Sequence, residues 1–331
     1  MRISLVVVGW HSAPWIERLL PTAAEADEIV VVDHSEDGAE AARLRELPLT
    51  RLVLQANRGY GAGLNRGARE AAGDVLVLAN PDVRFAEGTI GRLAALATRP
   101  GVGAAGPAIL WTPERPWQLP HSAHHTWVRE LLAARLPALA RRVYLRQMDR
   151  AWKAAVPAAV PVLGGAVIVT TRAVFEASGG FDERFFLFFE ENDWCLRVRR
   201  AGGRLLVDPG AAVYHEWGHA IGDAAAAHHA RSLDRYRRLH LPRAWVARHP
   251  TPPAVREPRL REGSGPGCEA GDELLLVTSA RCDPAARLVA RSSTEDVASL
   301  LPESIHPGRF MVVRRRGSFE RLRTVEIPAR D

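Results

Sequence analysis

The sequence predicts an α/β protein built on a mixed, mostly parallel β-sheet with helices on both faces. Two observations in residues 1–83 indicate this fold. Short runs of β-branched residues alternate with segments whose apolar residues recur at helical spacing. The strand segments are almost continuously apolar, as strands are when helices cover both faces of a parallel sheet.

The first part of the chain supplies four predicted strands and two predicted helices. The strands are ISLVVVGW (3–10), EIVVVDHS (28–35), TRLVLQAN (50–57) and DVLVLANPD (74–82). The helices are IERLLPTAAEA (16–26) and GLNRGAREAAG (63–73), the second of which ends at a glycine, a residue common at helix C-termini. Ligands of such sheets bind beyond the carboxyl ends of the strands.

The residues that follow the four strands are expected at that edge of the sheet. They are Gly9 and Trp10, Asp33, Asn57, and Asn80 with Asp82. The Asn-Pro-Asp after the fourth strand has two interpretations. It is a turn that ends a strand, since Pro lacks an N–H, or it brings a carboxylate to a metal ion.

A second group of elements lies between residues 162 and 203. VLGGAVIV (162–169) is a predicted strand whose Gly164 and Gly165 allow close approach of a ligand to the backbone. RAVFEASGG (172–180) and ENDWCLRVRRAGG (191–203) are predicted helices. The second of these has acids in its first turn and arginines near its end, as the helix dipole favours.

The C-terminal part of the chain predicts a separate module. TPPAVREPRLREGSGPG (251–267) is rich in Pro, Gly and charge, which indicates a linker. We therefore divide the chain into a domain at 1–247, a linker at 248–267 and a small β-rich module of unknown role at 268–331. ELLLVTS (273–279), FMVVRRR (310–316) and RTVEIP (323–328) are its candidate strands.

Charge and composition limit the classes of function that the chain could have. The 331 residues are 47% hydrophobic with a formal charge of +6, carried almost entirely by Arg, which indicates a globular protein with an anionic partner or a solvated basic surface. The cysteines lack Cys-X-X-Cys spacing, so a reducing, cytosolic setting is expected. The first residues lack a signal-peptide pattern, and Pro and Gly interrupt the longest apolar stretch, 154–169.

Residues 105–153 have a weaker pattern. They contain four tryptophans, a histidine cluster at 121–125 without dependable zinc spacing, and an Arg-rich helical stretch. This stretch is either a surface for a lipid-linked or polyanionic acceptor or an ordinary amphipathic helix with a solvated Arg face.

Three blocks of residues resemble a known family. EIVVVDHSEDG (28–38) resembles VVVDNxSxDG, and NRGYGAGLNRGAREAAGDVLVLANPDV (57–83) resembles NxGFGxxxNxGxxxAxGxxxLxLNPD. GGFDERFFLFFEENDWCLRVRRAGGRLLVDPGAAVYH (179–215) resembles GGFDExFFxYxEDxDLCxRxRxxGxxxxxxPxAxxxH. Residues 1 to about 245 therefore resemble family 2 glycosyltransferases, which have the Rossmann-like, nucleotide-sugar-binding GT-A fold, and are most similar to rhamnosyltransferase-like members.

The resemblance implies a donor site at the strand edge. Asp33 is expected to bind the base or ribose, and the Gly-rich loop to lie near the nucleotide. The expected donor-binding residues are Gly9, Asp33, Asn57, Gly59, Gly61, Asn65, Asn80 and Gly165. A dinucleotide-binding loop, as in a dehydrogenase, is the rival interpretation of GYGAGLNRG (59–67), but its spacing is not Gly-X-Gly-X-X-Gly.

The resemblance also implies a divalent cation, Mg²⁺ or Mn²⁺, that neutralises the departing diphosphate. Asp82 and His215 are the expected ligands. Asn80 stands where a second acid of the Asp-X-Asp motif would be, which weakens the expected site.

A general base is expected in FFEENDW (188–194), since the acceptor hydroxyl must lose a proton. Glu191 occupies the position at which the family has Asp, and Asp193 is the second candidate. The alternative is that these acids serve only the helix dipole.

These expectations describe an inverting glycosyltransferase that moves a sugar, rhamnose as the first choice, from a nucleotide-diphosphate donor to a glycan or glycolipid hydroxyl in cell-surface polysaccharide assembly. The alternative is a catalytically weakened nucleotide-sugar-binding or scaffold protein. We expect no nucleic-acid partner. A homodimer and a cytoplasmic location, with peripheral contact at the inner face of the plasma membrane, are compatible with the sequence.

Overall fold

A computed structural model describes residues 1–114, 116–121, 123–215, 223–254, 261–263, 265–277, 285–291, 293–294, 296–301, 308–316 and 318–327. Its strands are β1 (Ile3–Gly9), β2 (Glu28–Asp33), β3 (Arg51–Leu54), β4 (Val75–Ala79), β5 (Val83–Phe85), β6 (Val102–Leu110), β7 (Ala158–Ala159), β8 (Val167–Thr171), β9 (Arg204–His215), β10 (Arg261–Glu262), β11 (Glu273–Val277), β12 (Ala285–Val289), β13 (Gly308–Arg316) and β14 (Ser318–Ile327).

The helices are α1 (Ala13–Leu19), α2 (Gly38–Arg45), α3 (Tyr60–Glu70), α4 (Thr89–Ala97), α5 (Trp127–Arg135), α6 (Pro137–Trp152), α7 (Arg172–Ala177), α8 (Glu190–Arg200), α9 (Asp223–His240) and α10 (Arg243–Arg248). Short 3₁₀ turns occupy Leu20–Thr22 and Val297–Leu300.

One large mixed sheet organises residues 1–215. Its strand order is β3-β2-β1-β4-β8-β6-β9-β5, and β7 pairs with β9. The strands β3, β2, β1 and β4 are parallel, β8 is antiparallel to both of its neighbours, and β6 and β9 are again parallel. The predicted mixed, mostly parallel sheet is confirmed.

Helices cover both faces of this sheet. Along β1, Leu5 and Val7 belong to one buried cluster, whereas Val6 and Val8 belong to another. Because successive side chains of a strand point to opposite faces, the two clusters lie on opposite sides of the sheet. This explains why β1 is almost continuously apolar, apart from Ser4, rather than alternating.

Several predicted boundaries were wrong, among them those of one helix and two strands. The helix predicted at 16–26 ends at Leu19 and continues as a 3₁₀ turn over Leu20–Thr22, where Pro21 removes a backbone donor. The strand predicted at 50–57 ends at Leu54. The strand predicted at 162–169 begins only at Val167, so Gly164 and Gly165 lie in the segment that precedes it.

The C-terminal part forms a second, small sheet, as predicted. Its strand order is β10-β14-β13-β11-β12, and all of its pairings are antiparallel except β10 with β14. It packs on α6, where Leu145 and Met148 share a buried cluster with Leu275 and Val313. Arg315 adds a bidentate ion pair to Asp149 of α6, at 2.9 and 2.7 Å.

The proposed domain boundaries stay predictions. Residues 255–260 and 264 of the predicted linker lie outside the described residues. Within the described part of the chain, no helix combines the length and apolarity needed to cross a membrane.

The Arg-rich stretch of 135–150 is helical and amphipathic. Tyr144, Leu145 and Met148 are buried on one side of α6, whereas Leu139 and Val143 are 44% and 47% exposed on the other. Arginines 142, 146 and 150 are also exposed. This face fits either interpretation of the stretch, an anionic surface contact or a solvated helix.

Candidate active site

The carboxyl ends of β1 and β2 meet as predicted. Gly9 lies opposite Asp33 in the parallel register, and the amide of His34 donates to the carbonyl of Gly9 at 2.9 Å. The buried carboxylate of Asp33 accepts from the amide and the hydroxyl of Ser35, at 2.9 and 2.8 Å. Both oxygens of Asp33 are thus oriented by the turn that follows the strand.

Loops around this edge adopt an unusual backbone conformation. Among the described residues, the non-glycine residues with positive φ are His11 (50°), Glu36 (54°), Phe188 (69°) and Phe189 (67°). They follow β1, follow β2 and precede α8. A left-handed conformation in bulky residues persists only where surrounding contacts impose it, and such positions concentrate at functional sites.

The Gly-rich loop packs tightly on the segment before α8. Gly59 has φ 102°, and a Cβ added there would lie 2.5 Å from the carbonyl oxygen of Phe186. The amide of Tyr60 donates to that same oxygen at 2.9 Å, and the side chain of Asn57 accepts from the amide of Gly59 at 3.1 Å. A glycine is therefore required at 59 by contact within the protein itself.

Two other predicted donor-binding residues also make contacts inside the protein. A Cβ on Gly61 would lie 3.0 Å from Cβ of Phe181. The buried amide of Asn65 donates to the carbonyl of Phe181 and accepts from its backbone N–H, both at 2.9 Å. These contacts fasten α3 to the loop that leads to α8, so they explain the residues without a ligand.

Asp82 and His215, the predicted metal ligands, are brought together by strand pairing. In the antiparallel pair β5 and β9, Val83 lies opposite His215. This register places Asp82 Oδ1 3.2 Å from His215 Nε2, with both side chains about seven-eighths buried, at 13% and 12% exposure. Asn80 Nδ2 lies 3.4 Å from the same ring nitrogen.

The pair fits a divalent cation in chemistry and spacing. Carboxylate oxygen and imidazole nitrogen both bind Mn²⁺, and two ligands bound at about 2.1 Å to one ion lie about 3 Å apart. In the described part of the chain, no group of three or more His, Cys, Asp or Glu side chains could hold a metal ion. A cation at Asp82 and His215 therefore needs further ligands from outside this pair, such as diphosphate oxygens or water.

Tyr60 is a site residue that the sequence analysis missed. Its hydroxyl donates to Oδ1 of Asn80 at 2.7 Å. Burial raises the pKa of Tyr60 well above its usual value, and the negative charges of Glu190, Asp82 and Glu191 raise it further. Tyr60 thus lies between the Asn-Pro-Asp turn and the acidic turn of α8. The signal was in the sequence, because Tyr replaces the Phe of the family pattern at this position.

The three acids at the start of α8 have different environments. Glu190 and Asp193 are 5% and 3% exposed, whereas Glu191 is intermediate in exposure. Both carboxylate oxygens of Asp193 are hydrogen-bonded within the protein, since they accept from Arg197 Nε and from His240 Nε2, both at 2.8 Å. Asp193 therefore has the contacts of a helix-anchoring residue.

Glu191 lies beside the backbone of Gly165. A Cβ on Gly165 would be 3.5 Å from Cγ of Glu191, so the glycine leaves room for this side chain. Asn192 Nδ2 donates to Oε1 of Glu191 at 2.9 Å. Of the three acids, Glu191 is the one with solvent access, and its carboxylate is oriented by a neighbour.

Glu190 is buried beneath the Gly-rich loop, with its Cβ 3.6 Å from the position of a Cβ on Gly61. Burial raises its pKa well above the usual value, and the charge of Glu191 adds to the shift. Its Oε2 has no hydrogen-bond partner among the described residues. Burial thus favours the neutral form of Glu190, whereas Glu191 has access to solvent.

Comparison with known proteins agrees with this geometry. Residues 1–246 match the family model described as "Glycosyltransferase like family 2". The fold is that of a GT-A glycosyltransferase, and the chain belongs to glycosyltransferase-like family 2. The predicted resemblance is confirmed.

Two curated relatives extend the comparison. N-acetylglucosaminyl-diphospho-decaprenol L-rhamnosyltransferase of Mycobacterium tuberculosis (strains CDC 1551 / Oshkosh and H37Rv) is 30% identical over 257 residues, which cover 68% of this chain and 80% of the relative. The low-salt glycan biosynthesis hexosyltransferase Agl10 of Haloferax volcanii is 26% identical, over 60% of this chain and 62% of its own length.

Solved structures support the fold. The structure of GalNAc-T7 with UDP, GalNAc and Mn²⁺ aligns with a TM-score of 0.51 at 15% identity, covering 72% of this chain and 48% of that one. At this identity the similarity concerns the fold.

Proposed function

We propose that this protein is an inverting glycosyltransferase that moves a sugar from a nucleoside-diphosphate donor to a hydroxyl of a lipid-linked glycan. The observation that carries the proposal is the position of Glu191. Glu191 has more solvent access than Glu190 and Asp193, the other acids at the start of α8. The negative charges of Glu191 and Asp82 both raise the pKa of Tyr60. A candidate base and a candidate diphosphate site thus share one edge.

Asp82 and His215 hold the donor end of this site. A divalent cation bound by them would neutralise the charge that builds on the departing diphosphate. Asn80 accepts a hydrogen bond from Tyr60, and its side-chain amide lies beside His215, so Asn80 helps to position that ring. The structure of GalNAc-T7, which shares this fold, contains UDP and Mn²⁺, and this supports the assignment by fold analogy.

Glu191 accepts the proton of the acceptor hydroxyl as that oxygen attacks the anomeric carbon. One displacement from the face opposite the leaving group inverts the configuration at that carbon, and it requires a single base. Glutamate reaches about one methylene further than aspartate, so positioning matters. Packing over Gly165 and the hydrogen bond from Asn192 supply that positioning.

The mycobacterial relative suggests the substrates. Its name specifies transfer of L-rhamnose to a sugar carried on a diphospho-prenol. We infer a dTDP-rhamnose donor and a diphospho-prenol-linked acceptor for this chain, in cell-surface polysaccharide assembly. We also propose a cytoplasmic location at the inner face of the plasma membrane, and self-association into a homodimer stays a prediction.

The proposal is tested by offering dTDP-rhamnose, UDP-sugars and GDP-sugars with Mn²⁺ and a short-chain prenyl diphosphate-linked sugar acceptor. We expect one donor to give product whose new glycosidic bond, by nuclear magnetic resonance, has the configuration opposite to that of the donor. Retained configuration contradicts the single-displacement mechanism.

A binding protein without turnover is the second candidate, since Asn80 replaces an acid and the described residues include no three-ligand metal group. Tight nucleoside-diphosphate binding with neither transfer nor slow donor hydrolysis favours that candidate instead.

A further inference from the structure

A basic cavity lies next to the candidate active site. Its volume is about 490 Å³, and its walls are residues 184 and 186 and one face of α9. The lining includes Arg184, Phe186, Arg231, Arg235, Arg238 and Leu239. The α9 residues recur mostly at three- and four-residue intervals, so α9 presents them as a single continuous face.

Arginines dominate the charge of this cavity. Its lining contains four guanidinium groups and one carboxylate. Arg184 is neutralised by bidentate contact with Asp182, and Arg238 pairs with Asp234 at 2.8 Å. Among the described residues, Arg231 and Arg235 have no carboxylate within 4.0 Å. Within the described residues, these two guanidinium groups therefore lack the close carboxylate partner that Arg184 and Arg238 have, and Arg235 interacts with Asp182 only at longer range.

The guanidinium group of Arg231 is held in one orientation by its neighbours. Its Nη2 donates to Nδ1 of His228 at 2.9 Å, and the His228 ring stacks on the ring of Phe186, with centroids 4.4 Å apart. A planar guanidinium held in this way is suited to two parallel hydrogen bonds with phosphate oxygens.

The cavity wall continues into the candidate active site. The carbonyl of Phe186 accepts from the amide of Tyr60, and Ser232 of α9 donates to the carbonyl of Leu187 at 2.8 Å. The same segment runs on through Phe189 to Glu190, the first residue of α8. Residues 186–189 therefore connect the cavity wall to the acidic first turn of α8, which contains Glu191.

Apolar groups accompany the arginines. Phe186 and Leu239 line the cavity and are 36% and 42% exposed. A site that combines guanidinium groups with exposed apolar side chains fits a ligand that is anionic at one point and hydrocarbon beyond it. A nucleotide lacks the hydrocarbon part, and a free phosphate lacks it too.

We propose that this cavity binds the diphosphate of a prenyl diphosphate-linked acceptor, with Arg231 and Arg235 contacting the phosphates and Phe186 and Leu239 contacting the first prenyl units. The acceptor sugar, attached to the diphosphate, then extends past residues 186–189 to Glu191. This inference rests on the proposed function, because it takes the protein to be a transferase with a lipid-linked acceptor.

The first test measures binding without turnover. Geranyl diphosphate is titrated into the wild-type protein, into the double variant Arg231→Gln with Arg235→Gln, and into the control Arg43→Gln with Arg45→Gln, which removes two exposed arginines of α2. We expect the affinity of the cavity variant for geranyl diphosphate to fall about tenfold or more, because the variant loses charge-assisted hydrogen bonds to phosphate. The control should bind as wild type. Equal affinity of all three proteins overturns the proposal.

The second test separates the acceptor from other anions. With a prenyl diphosphate-linked sugar acceptor, the cavity variant should have a raised acceptor KM, whereas the KM of the donor and the rate with a neutral alkyl glycoside acceptor stay unchanged. A raised donor KM assigns the cavity to the donor and contradicts the inference. Loss of binding to phosphatidylglycerol vesicles, with unchanged geranyl diphosphate affinity, assigns it to a membrane surface and also contradicts it.

The two proposals fail in different ways. One outcome is that the cavity variant loses geranyl diphosphate binding while the wild-type protein transfers no sugar from any donor. This outcome supports the cavity as a binding site and rejects the proposed function. Unimpaired transfer to the diphosphate-linked acceptor by the cavity variant rejects the site and supports the proposed function.

Discussion

Oδ1 of Asp82 lies 3.2 Å from Nε2 of His215, although the two residues come from distant parts of the sequence. The antiparallel pairing of β5 with β9 sets this distance, because it puts Val83 opposite His215. The turn and the carboxylate are therefore not rival interpretations of Asn-Pro-Asp. The turn is what directs Asp82 toward His215.

Removing either member of this pair should remove cation-dependent donor binding. We expect Mn²⁺ to increase the thermal stabilisation of the wild-type protein by nucleoside diphosphate, and Asp82→Asn and His215→Gln to lose that increase. At a ligand concentration about 100 times Kd, the lost stabilisation is about 2–3 kcal/mol. The control Glu176→Gln removes an exposed carboxylate of α7 and should behave as wild type. A Mn²⁺ effect that survives in Asp82→Asn rejects the assignment.

Tyr60→Phe tests the link between the Gly-rich loop and Asn80. Losing the 2.7 Å hydrogen bond should cost about 1 kcal/mol of stability, since Phe fits the family pattern and the ring remains. With Asn80 no longer held, we expect a higher donor KM at limiting Mn²⁺. Enzyme kinetics over a Mn²⁺ series measures this, and an unchanged KM shows that Tyr60 does not order the site.

Glu190 should make stability fall as pH rises. Its folded-state pKa is raised by burial and by the charge of Glu191, so its contribution is complete below the unfolded value of about 4.5. That contribution is lost as pH increases through the raised folded pKa. Urea denaturation of the wild type and Glu190→Gln across a pH series isolates the effect. The difference in free energy of unfolding should move in favour of the variant at high pH, and a constant difference contradicts a raised pKa of Glu190.

Glu130 anchors α9 and should act in the opposite pH direction. Burial opposes its ionisation, but hydrogen bonds from His125, Arg237 and Trp245 prevail and lower its pKa to about 2. Its contribution is therefore present above the unfolded value of about 4.5 and is lost as pH falls toward 2.

Glu130→Gln leaves the fully buried Arg237 without its carboxylate, so we expect a loss of about 3–5 kcal/mol in urea denaturation at neutral pH. The matched control Arg66→Gln breaks an exposed pair with Glu70 and should cost about 0.5 kcal/mol or less. Similar losses in both variants contradict the anchoring role.

The strand-ending residues show what a local pattern can predict. Gly9 and Asp33 meet at one edge because parallel strands share a direction, and that direction is implied by alternating strand and helix segments. The distance from Asp82 to His215 depends on a register between β5 and β9, which lie far apart in sequence. The sequence alone could name that pair only through the family resemblance.

The hydrogen-bond partners of the site side chains were harder to predict than the positions of these residues in the fold. Asn65 and Asp193 stand where the family pattern has Asn and Asp, yet their hydrogen bonds go to Phe181 and to Arg197 with His240. Nothing local in the sequence distinguishes a carboxylate that anchors a helix from one that is open to substrate. The distinction depends on burial, which is set by elements such as α9 that pack from elsewhere in the chain.

The most direct measurement of the central claim compares Glu191→Gln with the wild type and with the Glu176→Gln control. The three proteins are assayed for sugar transfer under saturating donor and acceptor, and for nucleoside-diphosphate affinity by calorimetry. If Glu191 is the base, its variant should lose about 10²–10⁴-fold in kcat while nucleoside-diphosphate affinity stays within about twofold. A kcat within about threefold of wild type would show that proton removal does not depend on Glu191, and the proposed mechanism would be wrong.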